Sequence, residues 1–223
     1  MMATIYLYRL TYFGGTAPCY DNNELTLSIC KRDMRRVIGR RIKEDGEKDI
    51  WIAGVLGTGL SKEGTFQTTG LDVGDLIYIA RVDDVVEFHE YFTKANKRKD
   101  CIYEPCADSE LQSAGYCFSH KSKCEVHEAY DLQERDWDVK HKNHRKYVLK
   151  SNTYHFFSKK ESDSILNDSN ISIPKGVGHT ISCFDDQKAL ASQLCKKGDG
   201  ISNLPSDLRK NNCCGCGKRG TNL

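Results

Sequence analysis

The sequence predicts an α+β protein: a mixed, mostly antiparallel curved sheet with two or three helices and one long irregular insertion. Three observations carry that class. Short β-branched and aromatic runs recur along the chain, helical spacing of apolar residues is confined to a few segments between them, and residues 96–146 are hydrophilic with neither period. At 223 residues the chain suits one domain over residues 1–198, with an insertion over 97–146. The Gly, Asn, Ser and Lys content of residues 199–223 predicts a disordered, Cys-rich tail.

Residues 5–11 set Tyr6, Tyr8 and Leu10 against Ile5, Leu7 and Arg9, the period of a strand. Gly14-Gly15-Thr16-Ala17-Pro18 ends it in a loop. Residues 25–30 are a short apolar stretch leading into 31–38, where Met34, Val37 and Ile38 recur at helical spacing and Lys31, Arg32, Arg35 and Arg36 form one basic turn. Residues 50–55 have the unbroken apolar character of a buried strand. Leu56-Gly57-Thr58-Gly59 then marks a tight turn or a close backbone approach to another group. Residues 76–82 read as a strand and 87–95 as a helix with Phe88, Tyr91 and Phe92 on one side. The aperiodic stretch that follows is too long for an ordinary connection. Strands return at 147–149 and 154–157, a glycine-punctuated loop over 173–178 delivers His179, and 188–197 is the last expected helix.

Lys and Arg number 33 against 31 Asp and Glu, so the net charge of +2 gives no global pull toward nucleic acid and any phosphate site is local. No apolar run approaches the roughly 18 residues that suggest a membrane span. The first residues carry no basic segment followed by an apolar one, so a cytoplasmic protein with no membrane partner is expected. Eleven cysteines, an odd count, argue against a complete disulfide framework in that setting. Cys19, Cys30, Cys183 and Cys195 sit beside apolar or strand-like residues and read as small buried hydrophobes. Cys117-x2-His120 and Cys124-x2-His127 supply the donor types of a Cys2His2 zinc site, although their tandem order and short gap differ from finger spacing. Zinc is the one cofactor the sequence raises. Cys213, Cys214 and Cys216 are three thiols with no histidine nearby.

Several chemistries are excluded by motif. There is no Gly-x4-Gly-Lys-Ser/Thr phosphate loop, no His-Glu-x2-His and no Gly-x-Ser-x-Gly elbow, and residues 54–59 lack the spacing of a dinucleotide fingerprint. What remains is local. Lys31, Arg35 and Arg36 have the chemistry to neutralise phosphate oxygens, or form a solvated helix face. Tyr8 and Trp51 can stack on a base or fill the core. His179 can serve as a general base or meet a base edge, or be an ordinary loop histidine.

In collinear order, Tyr6-Leu7-Tyr8, Ala17-Pro18-Cys19, residues 25–31, Arg35-Arg36, Trp51-Ile52, Gly57-Thr58-Gly59, residues 76–82, Phe88-His89-Glu90-Tyr91-Phe92 and Gly178-His179 resemble the second of the nucleotide modification associated domain families, over about residues 4–195. The resemblance implies an α+β domain found in phages and in gene neighbourhoods that make or handle hypermodified DNA bases. Residues 51–82 are more faintly similar to the EVE and PUA-like barrels, which read modified bases in an aromatic-lined pocket; that is an analogy of fold. The chain departs from the family where residues 101–144 are longer and richer in Cys and His, and where Glu47-Lys48-Asp49-Ile50 replaces a glycine before the Trp51 strand.

The expected function is therefore binding of a nucleotide or modified DNA base, with DNA-modification enzymes as further partners. Trp51 and Tyr8 line the pocket, Lys31, Arg35 and Arg36 meet phosphate, the Gly57-Thr58-Gly59 backbone approaches the ligand, and His179 contacts the base or transfers a proton. One alternative is an enzyme acting on a modified base or nucleotide, with His179, His120 or His127 as acid/base and Asp33 or Glu90 as the nearby acid. The other is an interaction module folded around zinc held by Cys117, His120, Cys124 and His127.

Overall fold

The computed structural model describes residues 3–10, 18–28, 31–58, 66, 69–98, 100–101, 103–105, 107, 109, 118–120, 147–168, 171, 173–175, 179–183 and 200–203. Its elements in chain order are β1 (Thr4–Leu10), β2 (Cys19–Asp21), β3 (Glu24–Leu27), α1 (Arg32–Lys43), β4 (Ile50–Leu56), β5 (Leu76–Arg81), β6 (Asp84–Glu87), α2 (Phe88–Ala95), β7 (Tyr103–Pro105), β8 (Phe118–His120), β9 (Tyr147–Ser151), β10 (Tyr154–Phe156), α3 (Lys159–Asp168), β11 (His179–Cys183) and a 3₁₀ turn over Ile201–Asn203.

The class is the α+β expected, with mostly antiparallel pairing, but the strands do not form one curved sheet. They divide between a five-stranded sheet ordered β10-β5-β4-β1-β11, a four-stranded sheet ordered β2-β3-β9-β6, and a ribbon of β7 with β8. Among the described residues the exception to antiparallel pairing is β1 with β4, parallel from Thr4↔Ile50 to Leu10↔Leu56. Parallel neighbours require a crossover. Here the crossover contains the β2–β3 hairpin and α1.

Alternation along the strands builds three cores. Tyr6, Tyr8 and Leu10 face a core shared with Met34 and Ile38 of α1 and with Leu25, Leu27 and Leu149 of the second sheet. Ile5 and Leu7 face the opposite side, with Trp51, Ala53, Val55 and Ile165 of α3. Val86 and Val148 turn to the outer face of the second sheet and pack on Phe88 and Tyr91 of α2. β1 and β4 are thus buried on both faces, which is why their sequences read as continuous apolar runs. α1 lies tightly on β9 because Gly39 has no side chain: a Cβ there would stand 2.1 Å from the Tyr147 ring.

Among the described elements, β2, β6, β7, β8, α3 and β11 go beyond the expected set. α3 begins with a reciprocal cap. The Ser158 N–H and hydroxyl donate to Glu161 Oε2 at 2.8 and 2.7 Å, and Ser158 Oγ accepts the Glu161 N–H at 3.4 Å. Burial works to raise the Glu161 carboxyl. The Ser158 donors and neighbouring His155 outweigh it and hold the group below its ordinary value of 4.5. A carboxylate depressed in the fold stabilises above its unfolded value and loses that contribution as pH falls through the folded one. Glu161→Gln is therefore expected to cost about 1 kcal/mol at neutral pH. In denaturant titrations the gap from wild type should close as pH drops below 4.5.

Within residues 97–146, Tyr103 to Pro105 pair with Phe118 to His120. Beyond residue 199 the structure describes residues 200–203. Gly200, at φ +64°, lies against the Phe156 backbone, and Asn203 Nδ2 donates to the Phe156 carbonyl at 2.8 Å. The helix expected over 188–197 and residues 204–223 lie outside the described residues. Among the described residues, no helix is long and apolar enough to cross a membrane.

Candidate functional site

One row of residues crosses the five-stranded sheet. Phe156 opposes Tyr78, Tyr78 opposes Gly54, Gly54 opposes Tyr8, and Tyr8 opposes His179. The glycine leaves a notch between two tyrosines. Across it the Tyr8 and Tyr78 hydroxyls hydrogen-bond, with the rings 6.3 Å apart and edge to face. Both rings are buried, and burial pushes the Tyr78 phenol well up, outweighing the hydrogen bond from Tyr8. Lys31 Nζ stands 5.5 Å above the Tyr8 ring, a cation–π contact.

The parallel pairing of β1 with β4 brings their C-terminal ends together at this end of the sheet. The Gly57 N–H donates to the Leu10 carbonyl at 2.9 Å, and Thr58 beyond it is exposed. Lys31 itself adopts the left-handed conformation, φ 47° and ψ 39°, and its carbonyl accepts the Arg35 N–H at 2.9 Å, starting α1. Tyr8, Lys31, Gly57, Thr58 and the backbone of His179 therefore gather at one sheet end, whereas the other expected site residues do not.

Trp51 cannot line a pocket with Tyr8. It opposes Ile5 and packs on the α3 side with Ala53 and Phe157, while Tyr8 faces the other side of the same sheet. Arg35 is 2% exposed and turned into the protein, where Nη1 donates to the Tyr147 carbonyl at 2.5 Å and the guanidinium covers the Phe88 ring at 5.6 Å. It joins α1 to the second sheet and α2, and is unavailable to phosphate. Arg36 is exposed and pairs with Asp33 at 3.7 Å, as Arg32 does at 3.3 Å. Gly59, Cys117, Cys124 and His127 lie outside the described residues; His120 is placed in β8 by its backbone alone. Glu90, a candidate acid, pairs with Lys94 on the outer helix α2. The site residue that sequence reasoning missed is Tyr78: it sits in an expected strand, but only the register sets it beside Tyr8.

Residues 2–211 match the family model described as nucleotide modification associated domain 2. The chain belongs to that family. The name associates the domain with nucleotide modification, and the match covers both sheets, all three described helices and the row through Gly54. Searches of curated proteins and of solved structures each found no match.

A second polar centre of this nucleotide modification associated domain lies on the outer face of the four-stranded sheet. The Asp100 carboxylate is fully buried and accepts the hydroxyls of Thr26 at 2.5 Å, Ser28 at 2.9 Å and Tyr91 at 2.7 Å. Arg98 stands 3.5 Å away and donates to the Tyr91 oxygen at 2.9 Å and to Thr26 Oγ1 at 3.0 Å. Burial, with Asp100 beside it, pushes the Tyr91 phenol and the Cys19 thiol far up, so both stay protonated and act as donors rather than nucleophiles.

Proposed function

We propose that this nucleotide modification associated domain binds a nucleotide or modified DNA base at the Lys31 end of the five-stranded sheet. Lys31 meets the phosphate, and Thr58 with the Gly57 backbone borders the ligand. Arg36 and Arg32 add positive charge, and His179, at the register position beside Tyr8, contacts the base. What supports this reading is the convergence of Tyr8, Lys31 and Gly57–Thr58 where β1 and β4 end side by side. In open, mostly parallel α/β sheets, ligands bind beyond the carboxyl ends of the strands, and the β1–β4 pair presents such an end.

The electrostatics agree. Cations at a helix N-terminus oppose the helix dipole, and Asp33 in the first turn of α1 pairs with both Arg32 and Arg36. An anion there is favoured by both dipole and side chains. Arg35 and Trp51 take no part; the fold uses both for packing.

Calorimetric titration with plain and 5-hydroxymethyl deoxycytidine monophosphate tests the proposal. Lys31→Ala is expected to weaken binding about tenfold, the effect of one charge-assisted hydrogen bond, while Trp51→Phe leaves affinity within about twofold. Equal affinity in wild type and Lys31→Ala would remove the site from this end of the sheet. Incubation with hypermodified DNA followed by nucleoside mass spectrometry separates binding from chemistry, since a protein that only binds leaves base composition unaltered.

A further inference from the structure

On the outer side of the four-stranded sheet, a groove of about 490 Å³ opens between the β2–β3 turn, β6 and α2. Its volume is that of a small-molecule site. It shares no lining residue with the Lys31 end. Its walls are fixed from behind by Arg98, which donates to the carbonyls of Asp21 at 3.2 Å and Glu24 at 3.4 Å as well as to the Tyr91 phenol. The hairpin turn between those two carbonyls holds Asn22 and Asn23 at φ 50° and 60°, the tight two-residue geometry that fits strand twist. Val86, Ala95 and the Tyr91 ring supply apolar surface.

The charges of the lining come in opposed pairs. Lys94 meets Glu90 at 2.7 Å and Lys150 meets Glu24 at 2.8 Å. Lys97 has no ion-pair partner among the described residues, and Arg98 stands 3.5 Å from the buried Asp100 carboxylate, 3.4 Å from Glu24 and 3.9 Å from Asp21. Besides Arg98, the lining carries three carboxylates, of Asp21, Glu24 and Glu90, and three ammonium groups, of Lys94, Lys97 and Lys150. The Lys94 hydrogen bond, with the Lys94, Lys43 and Lys150 charges, outweighs desolvation and keeps the Glu90 carboxyl below its ordinary value, hence ionised.

An anion taken by Lys94 or Lys150 would strand the carboxylate now paired with it, and Lys97 by itself supplies a single charge. A cation alone would do the reverse. A ligand carrying both charges gives each displaced group a new partner, and an exposed ion pair such as Lys94–Glu90 contributes so little that exchanging it is easy. We propose that the groove binds a dipolar ion, a small molecule joining an ammonium to an acid group as a free amino acid does. Glu24 and Glu90 take the ammonium, and Lys94, Lys97 and Lys150 take the acid group.

The test titrates the full chain with each free protein amino acid in millimolar excess and follows the backbone amides of residues 86–98 by NMR. The best ligand is then compared with its N-acetyl form and with its decarboxylated amine. At least one amino acid should shift these amides, with each single-charge analogue binding about tenfold more weakly. Glu90→Gln, an exposed change checked for an unaltered unfolding midpoint, should weaken the amino acid about tenfold and leave the N-acetyl form unaffected. Failure of every amino acid to move these amides overturns the proposal, as does an N-acetyl form that binds as tightly as its parent.

Discussion

Replacing Gly54 with alanine is expected to lower the thermal midpoint by about 6–12 °C, the equivalent of about 3 kcal/mol in a domain of this size. An ideal Cβ at this position lies 2.4 Å from both Leu10 Cδ1 and Tyr78 Cε1, and 2.8 Å from Tyr78 Cδ1. Carbon atoms pack at about 3.5–4.0 Å, so something must move by more than an ångström. Leu10 and Tyr78 are both buried in the core shared by the two sheets, and Gly54 is in the middle strand of its sheet. The stiffest part of the molecule therefore takes the strain. Displacing the Tyr78 ring also separates its hydroxyl from Tyr8 and leaves two phenols buried without each other.

Gly46→Ala provides the comparison. That glycine has φ +68° but nothing within 4 Å of a Cβ, so only left-handed backbone strain is added, about 1–2 kcal/mol. Were Gly54→Ala no worse than Gly46→Ala in chemical denaturation, the notch would not be a steric requirement. A double variant, Gly54→Ala with Tyr78→Leu, should cost less than the sum of its parts, because the smaller side chain vacates the space that the methyl needs. Nucleotide affinity should fall with Gly54→Ala too, since Tyr8 beneath Lys31 shifts with its partner.

The same row explains what the sequence could and could not disclose. β1, β4, β5, β9 and β10 were legible because they are apolar and aromatic on at least one buried face, and α1 and α2 because their buried residues recur at helical spacing. Within each strand, alternation assigns faces; it says nothing of which face meets which across neighbouring strands. Tyr8 and Trp51 therefore looked compatible until the parallel register set Trp51 opposite Ile5. Arg35 is different, because its position was readable: Met34, Arg35, Ile38 and Gly39 form one buried stripe of α1, and the basic run concealed it. The Ser158-x-x-Glu161 cap is the signal that could have found α3, which went unread because the apolar signal there is limited to Ile165 and Leu166. β2 and β6 span only three and four residues, and each is held by a partner strand that carries most of the apolar signal. The Asp100 centre joins residues separated by more than seventy positions, so no local pattern announces it.

Asp100→Asn is expected to cost about 3 kcal/mol, the lower end of the range for breaking a buried charge pair. The carboxylate presents two acceptor oxygens: Oδ2 to Thr26 and Ser28, Oδ1 to Tyr91 and Arg98. An amide keeps one acceptor and adds a donor. With its nitrogen on the Oδ1 side it confronts the Arg98 guanidinium, which has no acceptor to offer. With its nitrogen on the other side it must reverse two hydroxyls, and in either orientation Arg98 loses the nearest fully buried counter-charge. Glu24 at 3.4 Å and Asp21 at 3.9 Å remain near Arg98, which keeps the loss from being larger. Arg98→Met with Asp100→Leu should be less costly than the two single changes added together, because no charge is then left uncompensated. The damage should also be local. Arg98 and Asp100 follow α2 and bind the β2–β3 hairpin through the Asp21 and Glu24 carbonyls and the Thr26 and Ser28 hydroxyls. Hydrogen exchange in Asp100→Asn should accelerate first at residues 19–28 and 96–101 while β1 and β4 stay protected. Acceleration spread evenly over both sheets would mean that this centre supports the whole core rather than fastening the chain after α2 to the hairpin.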